Sequence, residues 1–468
     1  MRLQWSSKPL EELCEFRNGL WQSKKPPYVH VGVIRNTNFT KSGLLDDSDI
    51  AYLDVEEKQF AKRQLKFGDL ILEKSGGGPK QPVGRVIGFE KTEGLFSFSN
   101  FTSVIRVIDP TLLSFRFLHR LLYWYYSSGV TEGMQRRSTG IRNLDFKAYK
   151  QLQIPLPPLP EQARIVAILD EVFAAIATAT AHAEKNLANA QELFERLVQD
   201  ACSGAVTKDA HEALAGPSAT TLIDAANDYR VKHWRGQRKY TEPVGIDTDK
   251  AWQVPSHWLL ASLDSICALF VDSAHRTPKY IDSGIPALRP RDVVGGMLSM
   301  ERVARVSNEE YGKQTKRYKP QPGDLVYSRE LSYGWAAEIE DEVQICLSQG
   351  MCVFRLAPGF SRSFLIYFLN GPMGRAQAKD VAVGTAHPHV NIRDIKAYAI
   401  PVPPPKEQVE IASRLDEIAL GINVIRENLD SKLSLLTTLK RSLLHKAFTG
   451  ELTANNKIAD RTLAEANV

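Results

Sequence analysis

Basic side chains lie on glycine-containing loops that come directly after predicted strands. The strand Asp69–Leu72 is followed by residues 73–80, which read Glu-Lys-Ser-Gly-Gly-Gly-Pro-Lys, and Arg85 comes soon after. Glycine lets backbone N–H groups approach a phosphate closely, and lysine or arginine supplies positive charge. This pattern is suited to holding a polyanion.

A second basic loop, residues 135–142, reads Gln-Arg-Arg-Ser-Thr-Gly-Ile-Arg and comes directly before Asn143. The second half of the chain has segments at matching places: residues 328–334 match the first loop, and residues 384–391 match the second. One such loop alone is typical of a solvated turn, but repetition at equivalent places favours a binding surface. Further basic residues of the second half are Arg276, Lys279, Arg289 and Arg291.

The motifs of common catalytic and cofactor sites are missing from the sequence. No Gly-Lys-Ser or Gly-Lys-Thr closes the glycines at 76–78, so they do not form a P-loop, and no Gly-x-Gly-x-x-Gly follows a strand. The nearest match to the tetrad of amino-methylating enzymes is Lys-Pro-Pro-Tyr at 25–28, whose lysine offers no acceptor. His387 and His389 lack further metal ligands at suitable spacing. The sequence therefore predicts no catalytic residue, no metal site and no cofactor in this chain.

An internal repeat positions the basic loops. Residues 154–162 read Ile-Pro-Leu-Pro-Pro-Leu-Pro-Glu-Gln and return at 400–408 as Ile-Pro-Val-Pro-Pro-Pro-Lys-Glu-Gln, 246 residues later. The same offset carries Leu-Asp-Glu at 169–171 onto 415–417, without a gap. Prolines favour an extended lead-in and are tolerated in a first helical turn, and a glutamate there suits the helix dipole. Each copy is therefore predicted to begin a helix.

Both predicted helices carry apolar residues at steps of three and four, a spacing near the ~3.5 of a coiled-coil seam. Roughly 40 residues at ~1.5 Å each would give a rod of about 60 Å. One alternative is two unrelated amphipathic helices that line globular cores. A duplicated seam of this length favours pairing between the copies, in a direction that the residues leave open. The seam residues are Ile165, Leu169, Ile176, Leu187, Leu197, Ile411, Leu415, Ile422, Leu433 and Leu443.

The segments before the helices match each other more loosely. Trp5-x4-Leu10-x3-Cys14 returns as Trp258-x4-Leu263-x3-Cys267, and Gly-Asp-Leu at 68–70 returns at 323–325. Asn143 and Lys-Ala-Tyr at 147–149 resemble Asn391 and Lys-Ala-Tyr at 396–398. Both segments are predicted to be mixed globules. Their predicted strands are Val29–Ile34, Asp69–Leu72, Thr102–Ile108, Asp324–Tyr327 and Met351–Leu356, and their predicted helices are Ser114–Tyr126 and Phe364–Leu369.

The predicted fold class is α+β, with two mixed globules separated by two long helices in an internal tandem repeat. The predicted segments are a globule at 1–154, a long helix at 155–207, a connector at 208–257, a globule at 258–400, a long helix at 401–453 and a tail at 454–468.

The net charge of +5 over 468 residues is a weak indication of a nucleic-acid partner until it is divided among these segments. The first globule holds 23 basic and 16 acidic side chains, and the second holds 17 and 15, whereas the first helix holds 3 and 7. The basic excess therefore belongs to the two globules, where a polyanion partner is plausible.

Composition excludes several other classes of protein. The best candidate for a membrane span, residues 112–126, is broken by Arg116, His119 and Arg120, and the first residues contain no apolar signal region. The five cysteines include no Cys-x-x-Cys, which favours reduced thiols and a cytoplasmic location.

The chain contains two Pro-x-Pro-Pro-x-x-Glu-Gln motifs. Each motif leads into Ile-x3-Leu-Asp-Glu and is preceded by a globule with a Gly-Asp-Leu strand. In these features the chain resembles the specificity subunit of type I restriction-modification systems. The resemblance covers about residues 1–453. It implies that each globule is a target-recognition domain for one half of a bipartite, asymmetric DNA sequence. It also implies that the long helices pack as an antiparallel coiled coil, which serves as a spacer and as a dock for two modification subunits.

The resemblance also implies that chemistry resides in partner subunits. The modification subunits would bring S-adenosylmethionine and methylate adenine, and restriction subunits would use ATP and Mg²⁺ to cleave unmodified DNA. The expected DNA contacts are mostly with phosphates and in a minority with base edges. For the first half-site they are Lys74, Ser75, Gly76, Lys80, Arg85, Arg136, Arg137 and Arg142, and for the second half-site they are Arg276, Lys279, Arg289, Arg291, Arg329 and His387.

Two alternatives remain at the level of sequence. One is a stand-alone DNA-binding regulator whose helices serve dimerisation. The other is a coiled-coil scaffold that does not touch DNA. Neither globule displays a side-chain pattern from which the recognised bases could be read.

Overall fold

The computed structural model describes residues 5–21, 25–78, 81–138, 141–205, 217–233, 240–246, 252–340 and 344–453, with backbone alone at 137 and 138. Lys80 and the predicted tail at 454–468 lie outside the described residues. The chain forms two compact units. Unit 1 comprises residues 1–184 and 430–468, and unit 2 comprises residues 185–429, so each unit combines one globule with parts of both long helices.

The globule of unit 1 is a mixed α/β structure. Its strands are β1 (Ser6–Pro9), β2 (Cys14–Asn18), β3 (Tyr28–Ile34), β4 (Ala51–Glu56), β5 (Asp69–Glu73), β6 (Ser75–Gly77), β7 (Val86–Phe89), β8 (Phe96–Phe98), β9 (Thr102–Val107), β10 (Gln135–Ser138), β11 (Ile141–Leu144) and β12 (Gln153–Leu156). Its helices are α1 (Leu10–Leu13), α2 (Glu57–Arg63), α3 (Phe115–Ser127) and α4 (Phe146–Lys150).

These strands form small sheets. An antiparallel sheet has the order β2-β9-β5-β7, and a second sheet has the order β4-β3-β8, in which β3 and β8 run parallel. A third sheet, β10-β11-β6, joins the two predicted basic loops. Strand β1 pairs with β12, which brings the beginning of the globule to the strand that precedes the first long helix.

Unit 2 repeats this plan. The long helix α5 (Leu159–Ser203) spans the division between the units, and α6 (Ala219–His233) lies in the predicted connector. The strands are β13 (Leu259–Ser262), β14 (Cys267–Asp272), β15 (Tyr280–Ile281), β16 (Ile285–Leu288), β17 (Val293–Val294), β18 (Met297–Leu298), β19 (Ala304–Val306), β20 (Leu325–Ser328), β21 (Ala336–Glu338), β22 (Cys346–Leu347), β23 (Met351–Leu356) and β24 (Ala399–Val402). The further helices are α7 (Leu263–Ile266), α8 (Asn308–Gln314), α9 (Arg362–Asn370), α10 (Pro372–Asp380), α11 (Ile392–Lys396) and the long α12 (Pro405–Phe448).

Unit 2 repeats the main strand pairings of unit 1, whereas isolated bridges from His389 to Glu330 and Val383 stand in place of the sheet β10-β11-β6. The order β14-β23-β20-β21 repeats β2-β9-β5-β7, and β16 pairs in parallel with β22 as β3 does with β8. Strand β13 pairs with β24 as β1 does with β12. The loosely matched segments of the sequence therefore fold alike.

The Gly-Asp-Leu motif forms the turn into the central strand of each globule. Asp69 accepts a hydrogen bond from the backbone N of Lys66 (2.8 Å) and pairs with Arg106 (2.6 Å). Asp324 is equivalent: it accepts from the backbone N of Gln321 (2.8 Å) and pairs with an arginine, Arg355 (2.7 Å). Both carboxylates are buried. Each therefore needs these donors, because a buried carboxylate without partners costs free energy of folding.

The glutamine of each Glu-Gln motif ties a long helix to its globule. In unit 1, the Oε1 of Gln162 accepts from the backbone N of Ser114 (2.8 Å), and its Nε2 donates to the carbonyl of Pro157 (2.8 Å). Gln408 repeats this arrangement with Ser361 (2.9 Å) and Pro403 (2.8 Å) in unit 2. The side chain satisfies backbone groups that helix starts leave free, which explains why the motif recurs.

Each globule packs on parts of both long helices. In unit 1, Phe448 near the end of α12 contacts Phe117 and Trp124 of α3, with ring centroids 5.5 and 5.4 Å apart. Thr453 there donates a hydrogen bond to Glu161, in the first turn of α5. The end of α12 thus lies against the beginning of α5 within this unit.

In unit 2, the last turns of α5 and the first turns of α12 contribute to one buried cluster. Val198 and Cys202 of α5 belong to the same buried cluster as Ile411 and Leu415 of α12. The predicted seam residues are all at least partly shielded from solvent. Fully buried are Ile165, Leu169, Ile176, Ile411 and Leu415, and partly buried are Leu187, Leu197, Ile422, Leu433 and Leu443.

The structure corrects one sequence alignment. The backbone N of Leu144 donates to the carbonyl of Lys74, and the backbone N of Val390 donates in the same way to Arg329, each at 2.8 Å. These bonds make His389, rather than Asn391, the counterpart of Asn143. The looser sequence match was misleading because the Lys-Ala-Tyr strings lie three residues out of register.

By length and composition, α5 rather than residues 112–126 is the helix that is long and apolar enough to cross a membrane. One such helix is weak evidence, because the long helices of soluble proteins pass the same test. The five cysteines, by contrast, are buried free thiols as predicted. Burial raises the pKa of Cys14 and of Cys202 to about 12, so both remain protonated and unreactive.

Candidate nucleic-acid interface

One edge of the unit 1 globule gathers the ends of several strands, and we call it the first loop surface. It consists of residues 18–21, 35–36, 73–78, 99–101, 135–138 and 141–143. The backbone N of Lys74 donates to the carbonyl of Phe101 (3.0 Å), and the Nδ2 of Asn36 donates to the carbonyl of Ser75 (2.7 Å). Backbone bonds therefore fix the predicted basic loop on the sheet edge.

The structure brings the two predicted basic loops of unit 1 together. Strand β6 pairs with β11, and the Oγ of Ser75 donates to the Oδ1 of Asn143 (2.5 Å). Ser75, Gly76 and Arg142 thus share one small sheet with Arg136, and Lys74 directly precedes its strand β6. For Arg137 the side chain lies outside the described residues.

The cations of the first loop surface differ in how they are held. The Nζ of Lys74 donates to the Oδ1 of Asn18 (2.7 Å), and burial lowers the pKa of this lysine. Arg136 is exposed and pairs with Asp145 (2.6 Å), the residue that caps α4. The hydrogen bond from Arg136, followed by those from the helix backbone, lowers the pKa of Asp145. Lys74 is therefore fixed, whereas Arg136 reaches into solvent.

Arg85 has an internal role. It is 8 % exposed and forms a two-pronged ion pair with Glu73 (2.7 and 2.9 Å), and it also donates to the carbonyl of Phe39. Its guanidinium also donates to the carbonyl of Asn36, so these internal acceptors hold it away from a phosphate. Arg85 supports the loop from beneath, and its burial contradicts the prediction of a direct DNA contact.

The corresponding edge of unit 2 is the second loop surface. It consists of residues 272–277, 289–291, 328–334, 348–350 and 384–390. The backbone N of Arg329 donates to the carbonyl of Gly350, and the backbone N of Leu331 donates to the carbonyl of Pro388, both at 2.8 Å. The structure therefore brings the loops that carry Arg329 and His387 together, as it does with their counterparts in unit 1.

Arg329 occupies the place of Lys74. Its Nε lies 3.3 Å from the Oδ1 of Asp272, as the Nζ of Lys74 lies 2.7 Å from the Oδ1 of Asn18. Both partners end the equivalent strands β14 and β2. Arg329 is 6 % exposed and also pairs with Glu330 (3.3 Å), so its charge is largely neutralised within the surface.

The remaining predicted cations of unit 2 lie on the same edge or close to it. Arg289 pairs with Asp292 (3.0 Å), and Arg276 pairs with Glu310 (2.7 Å), so part of their charge is balanced. Arg276 is nevertheless exposed, as are Lys279, Arg291 and His387, and the last three form no side-chain ion pair with any residue that the structure describes.

One basic residue of the first loop surface was not among the residues predicted from the sequence. The backbone N of Arg35 donates to the Oδ1 of Asn38, as the backbone N of Arg289 donates to the Oδ2 of Asp292, each at 2.9 Å. Arg35 is thus the unit 1 counterpart of Arg289. The signal available in the sequence was an arginine directly after the predicted strand Val29–Ile34 and three residues before an asparagine.

The two loop surfaces combine fixed cations with exposed polar groups on a rigid edge. Within the described ranges, no cluster of three or more His, Cys, Asp or Glu side chains could hold a metal ion. Such a surface can hold phosphates and offer hydrogen bonds to base edges.

Comparison with known proteins defines the class to which this arrangement belongs. The sequence profile of the type I restriction modification DNA specificity domain matches residues 3–187 and 278–434. The chain belongs to this family.

Similar proteins include the EcoKI specificity subunit of Escherichia coli strain K12, which is 23 % identical over 91 % of this chain and 83 % of its own length. The MjaVIII specificity subunit of Methanocaldococcus jannaschii is 21 % identical over 72 % of this chain and 71 % of its own. Both are type I restriction enzyme specificity subunits.

Solved structures show the same fold. A chain from a structure of a type I R-M system has a TM-score of 0.67 at 17 % identity, covering 96 % of this chain and 98 % of that one. The HsdS subunit of Thermoanaerobacter tengcongensis has a TM-score of 0.51 at 16 % identity, with 96 % and 97 % covered. The two-globule repeat is therefore the fold of this family, and the chain is a DNA specificity subunit.

Proposed function

We propose that this subunit recognises a bipartite, asymmetric DNA target, with each loop surface binding one half-site. The main observation in support is that the two loop surfaces have equivalent backbone hydrogen bonds but different side chains. Lys74 with Asn18 in unit 1 corresponds to Arg329 with Asp272 in unit 2. A shared backbone would present both surfaces to DNA alike, and different side chains would select different bases.

The proposal assigns backbone binding and base recognition to different residues. The exposed cations Arg136, Lys279 and Arg291 are suited to phosphates, which supply affinity without sequence information. Ser75, Asn143 and His387 carry hydrogen-bonding groups on the same surfaces and are suited to base edges. The order of these residues on the surfaces, rather than the net charge, would then determine the target sequence.

We further propose that the two long helices pair as an antiparallel coiled coil that sets the spacing of the half-sites. Two observations support this. Thr453 bonds to Glu161 in unit 1, and Val198 shares a cluster with Ile411 in unit 2. In each unit, residues near the end of one helix thus belong to the same packed region as residues near the beginning of the other, as antiparallel pairing requires.

Catalysis would reside in partner subunits, so the chain itself would be non-catalytic. The proposed partners are two modification subunits, which use S-adenosylmethionine to methylate adenine, and restriction subunits, which use ATP and Mg²⁺. Exposed apolar side chains on α12, such as Leu420 and Val424 in unit 2 and Leu435 and Leu439 in unit 1, support docking of a protein there. A cytoplasmic location follows from action on cellular DNA.

The decisive experiment maps methylated adenines in DNA exposed to the chain assembled with its modification subunits. Two short specific elements separated by an unspecified gap are expected. The two elements should differ, because the two surfaces differ. A single continuous element, or a palindrome, would contradict the proposal.

A loop exchange tests the assignment of each surface to one half-site. Residues 73–78 and 135–143 are replaced by those of another specificity subunit, whereas Phe117 and Trp124, which pack on α12, are kept. The expected result is a change in one half of the methylated sequence. A change in both halves would show that the surfaces do not act separately.

Membership of the family does not favour a stand-alone regulator or a scaffold that does not bind DNA. Two protected patches in a DNA footprint would exclude the scaffold directly.

A further inference from the structure

Leu331 has an unusual combination of backbone conformation and exposure. It is the non-glycine residue with a positive φ, +58°, among the residues that the structure describes, and its side chain is 60 % exposed. The left-handed region costs free energy for a residue with a Cβ atom. An exposed leucine recovers none of this cost by packing in a core.

The repeat shows which residue this backbone position suits. Counting from the Gly-Asp-Leu turns, Leu331 is the counterpart of Gly76, and both residues have positive φ. The equivalent bonds from Leu144 to Lys74 and from Val390 to Arg329 confirm this register. Unit 1 therefore uses glycine where unit 2 uses leucine, although both positions have a positive φ.

The loop around Leu331 holds it in this conformation. Its backbone N donates to the carbonyl of Pro388 (2.8 Å). The Oγ of Ser328 donates to the carbonyl of Ser332 (2.7 Å) and accepts from the backbone N of Trp335 (3.0 Å). Bonds on both sides fix the backbone of the loop at Leu331, and strain that surroundings maintain in this way is typical of functional positions.

We propose that Leu331 reads DNA directly, by packing its side chain against the 5-methyl group of a thymine in the major groove of the second half-site. This inference rests on the proposed function and assigns one specificity determinant to it. The thymine methyl is the apolar group that base pairs present in the major groove, so it is the group that a protruding leucine can recognise.

The neighbours of Leu331 favour DNA over a protein partner. Ser332 and His387 are exposed beside it on the second loop surface, and both carry hydrogen-bonding groups suited to base edges. Protein interfaces instead centre on contiguous apolar patches with aromatic anchors and are depleted in serine. An apolar tip among polar groups matches the mixed pattern of a major groove.

The test uses the full chain assembled with its modification subunits and a duplex that carries the mapped target. In parallel duplexes, each thymine of the second half-site is replaced by uracil, which lacks the 5-methyl group. The unsubstituted chain should lose about fourfold in affinity at one position, the value for one buried methyl group. Leu331→Gly should bind the thymine duplex more weakly and no longer distinguish thymine from uracil there.

Val231→Ala is the matched control, because Val231 is 57 % exposed on α6 and lies outside the second loop surface. It should keep the discrimination between thymine and uracil. The thermal unfolding midpoint of Leu331→Gly should equal or exceed that of the unsubstituted chain, because glycine adopts a positive φ freely. A change in DNA binding therefore cannot be attributed to loss of fold.

Three results would overturn the proposal. The Leu331→Gly variant could still distinguish thymine from uracil, or the second half-site could contain no thymine. The variant could also fail to bind the modification subunits while it still distinguishes the two bases. The last would identify a protein contact. Failure of the unsubstituted complex to bind any specific duplex is a different result, because it contradicts the proposed function itself.

Discussion

The indole Nε1 of Trp258 donates a hydrogen bond to the Oε2 of Glu407, 3.0 Å away and 149 residues later in the chain. Trp258 precedes the first strand of the second globule, and Glu407 lies in the first turn of α12. Both side chains are buried, at 2 % and 5 % exposure. Glu407, whose Oε2 also lies 3.0 Å from the Nε2 of His257, thus closes the globule at the point where the long helix begins.

We expect Glu407→Ala to lower the free energy of unfolding by about 2–3 kcal/mol, because it leaves the Trp258 indole N–H buried without this acceptor. Glu410→Ala is the control, since Glu410 is exposed on the same helix and pairs with Arg414. It should change stability by no more than about 0.5 kcal/mol. Thermal unfolding of both variants makes the comparison, and equal midpoints would contradict this role of Glu407.

Much of the fold could be predicted because the repeated residues satisfy the same buried bonds twice. Gln162 and Gln408 cap equivalent backbone groups, and Asp69 and Asp324 close equivalent turns. Such bonds are local in sequence or tied to one element, so they leave recognisable motifs. The sheet order was not predictable, because pairing between distant strands such as β2 and β9 leaves no comparable motif in a single sequence.

The candidate site was less predictable than the fold. Sequence indicated which loops are basic, and the structure joins them in pairs through contacts such as Ser75 with Asn143. The sequence could not indicate which cations are already neutralised by a neighbouring carboxylate. The partner of Arg85 is Glu73, twelve residues earlier and across a turn, and nothing in the spacing distinguishes this arginine from the exposed Arg136. Charge is visible in a sequence, whereas its burial depends on tertiary packing.

We therefore expect Arg85 and Arg291 to respond differently to substitution. Arg85→Met leaves the carboxylate of Glu73 buried and unpaired, which should cost about 3–5 kcal/mol of unfolding free energy. Arg291→Ala should leave stability within about 0.5 kcal/mol, because Arg291 is exposed. It should instead weaken DNA binding at all sequences and reduce the salt slope by about 1.

Calorimetry and salt-dependent binding to mapped and unrelated duplexes separate these two effects. The assignment fails if Arg85→Met unfolds like the unsubstituted chain but loses DNA binding. It also fails if Arg291→Ala changes the sequence methylated, since a phosphate contact carries no base information.

Acid should destabilise unit 1 through His119. Burial, with a smaller effect from the charge of Arg120, lowers the pKa of His119 from 6.5 to about 4. Between these values the unfolded chain binds a proton at this site and the folded chain does not. Stability is therefore complete above pH 6.5 and falls as the pH approaches 4, by roughly 3 kcal/mol from this group alone.

His119→Leu removes this titration. Its unfolding free energy, measured across that interval, should fall less steeply than that of the unsubstituted chain, and the difference between the two curves isolates His119 from the carboxylates. Parallel curves would mean that His119 is protonated in the folded state.

The apolar side chains exposed on α12 should affect assembly without affecting folding. Leu420 is 68 % exposed, so Leu420→Ser removes apolar surface that folding has not buried. We expect an unchanged unfolding midpoint and about a tenfold loss of affinity for the modification subunit, the scale of one side chain buried on docking. Met297→Ser, at a 71 % exposed position on β18, is the control. Equal retention of the partner by both variants would exclude this part of α12 from the dock.

Gly76 allows the opposite substitution to that at Leu331, because glycine already occupies the equivalent positive-φ position in unit 1. Its φ is +96°, and a Cβ atom would lie 3.1 Å from the Nδ2 of Asn36, which already donates to the carbonyl of Ser75. Gly76→Ala should lower the free energy of unfolding by about 1–2 kcal/mol. Gly78→Ala is the matched control two residues away, since a Cβ there meets nothing within 4 Å and its φ is not positive. Thermal unfolding should rank Gly76→Ala below Gly78→Ala, and the reverse order would mean that the positive φ shared by Gly76 and Leu331 carries no cost in this fold.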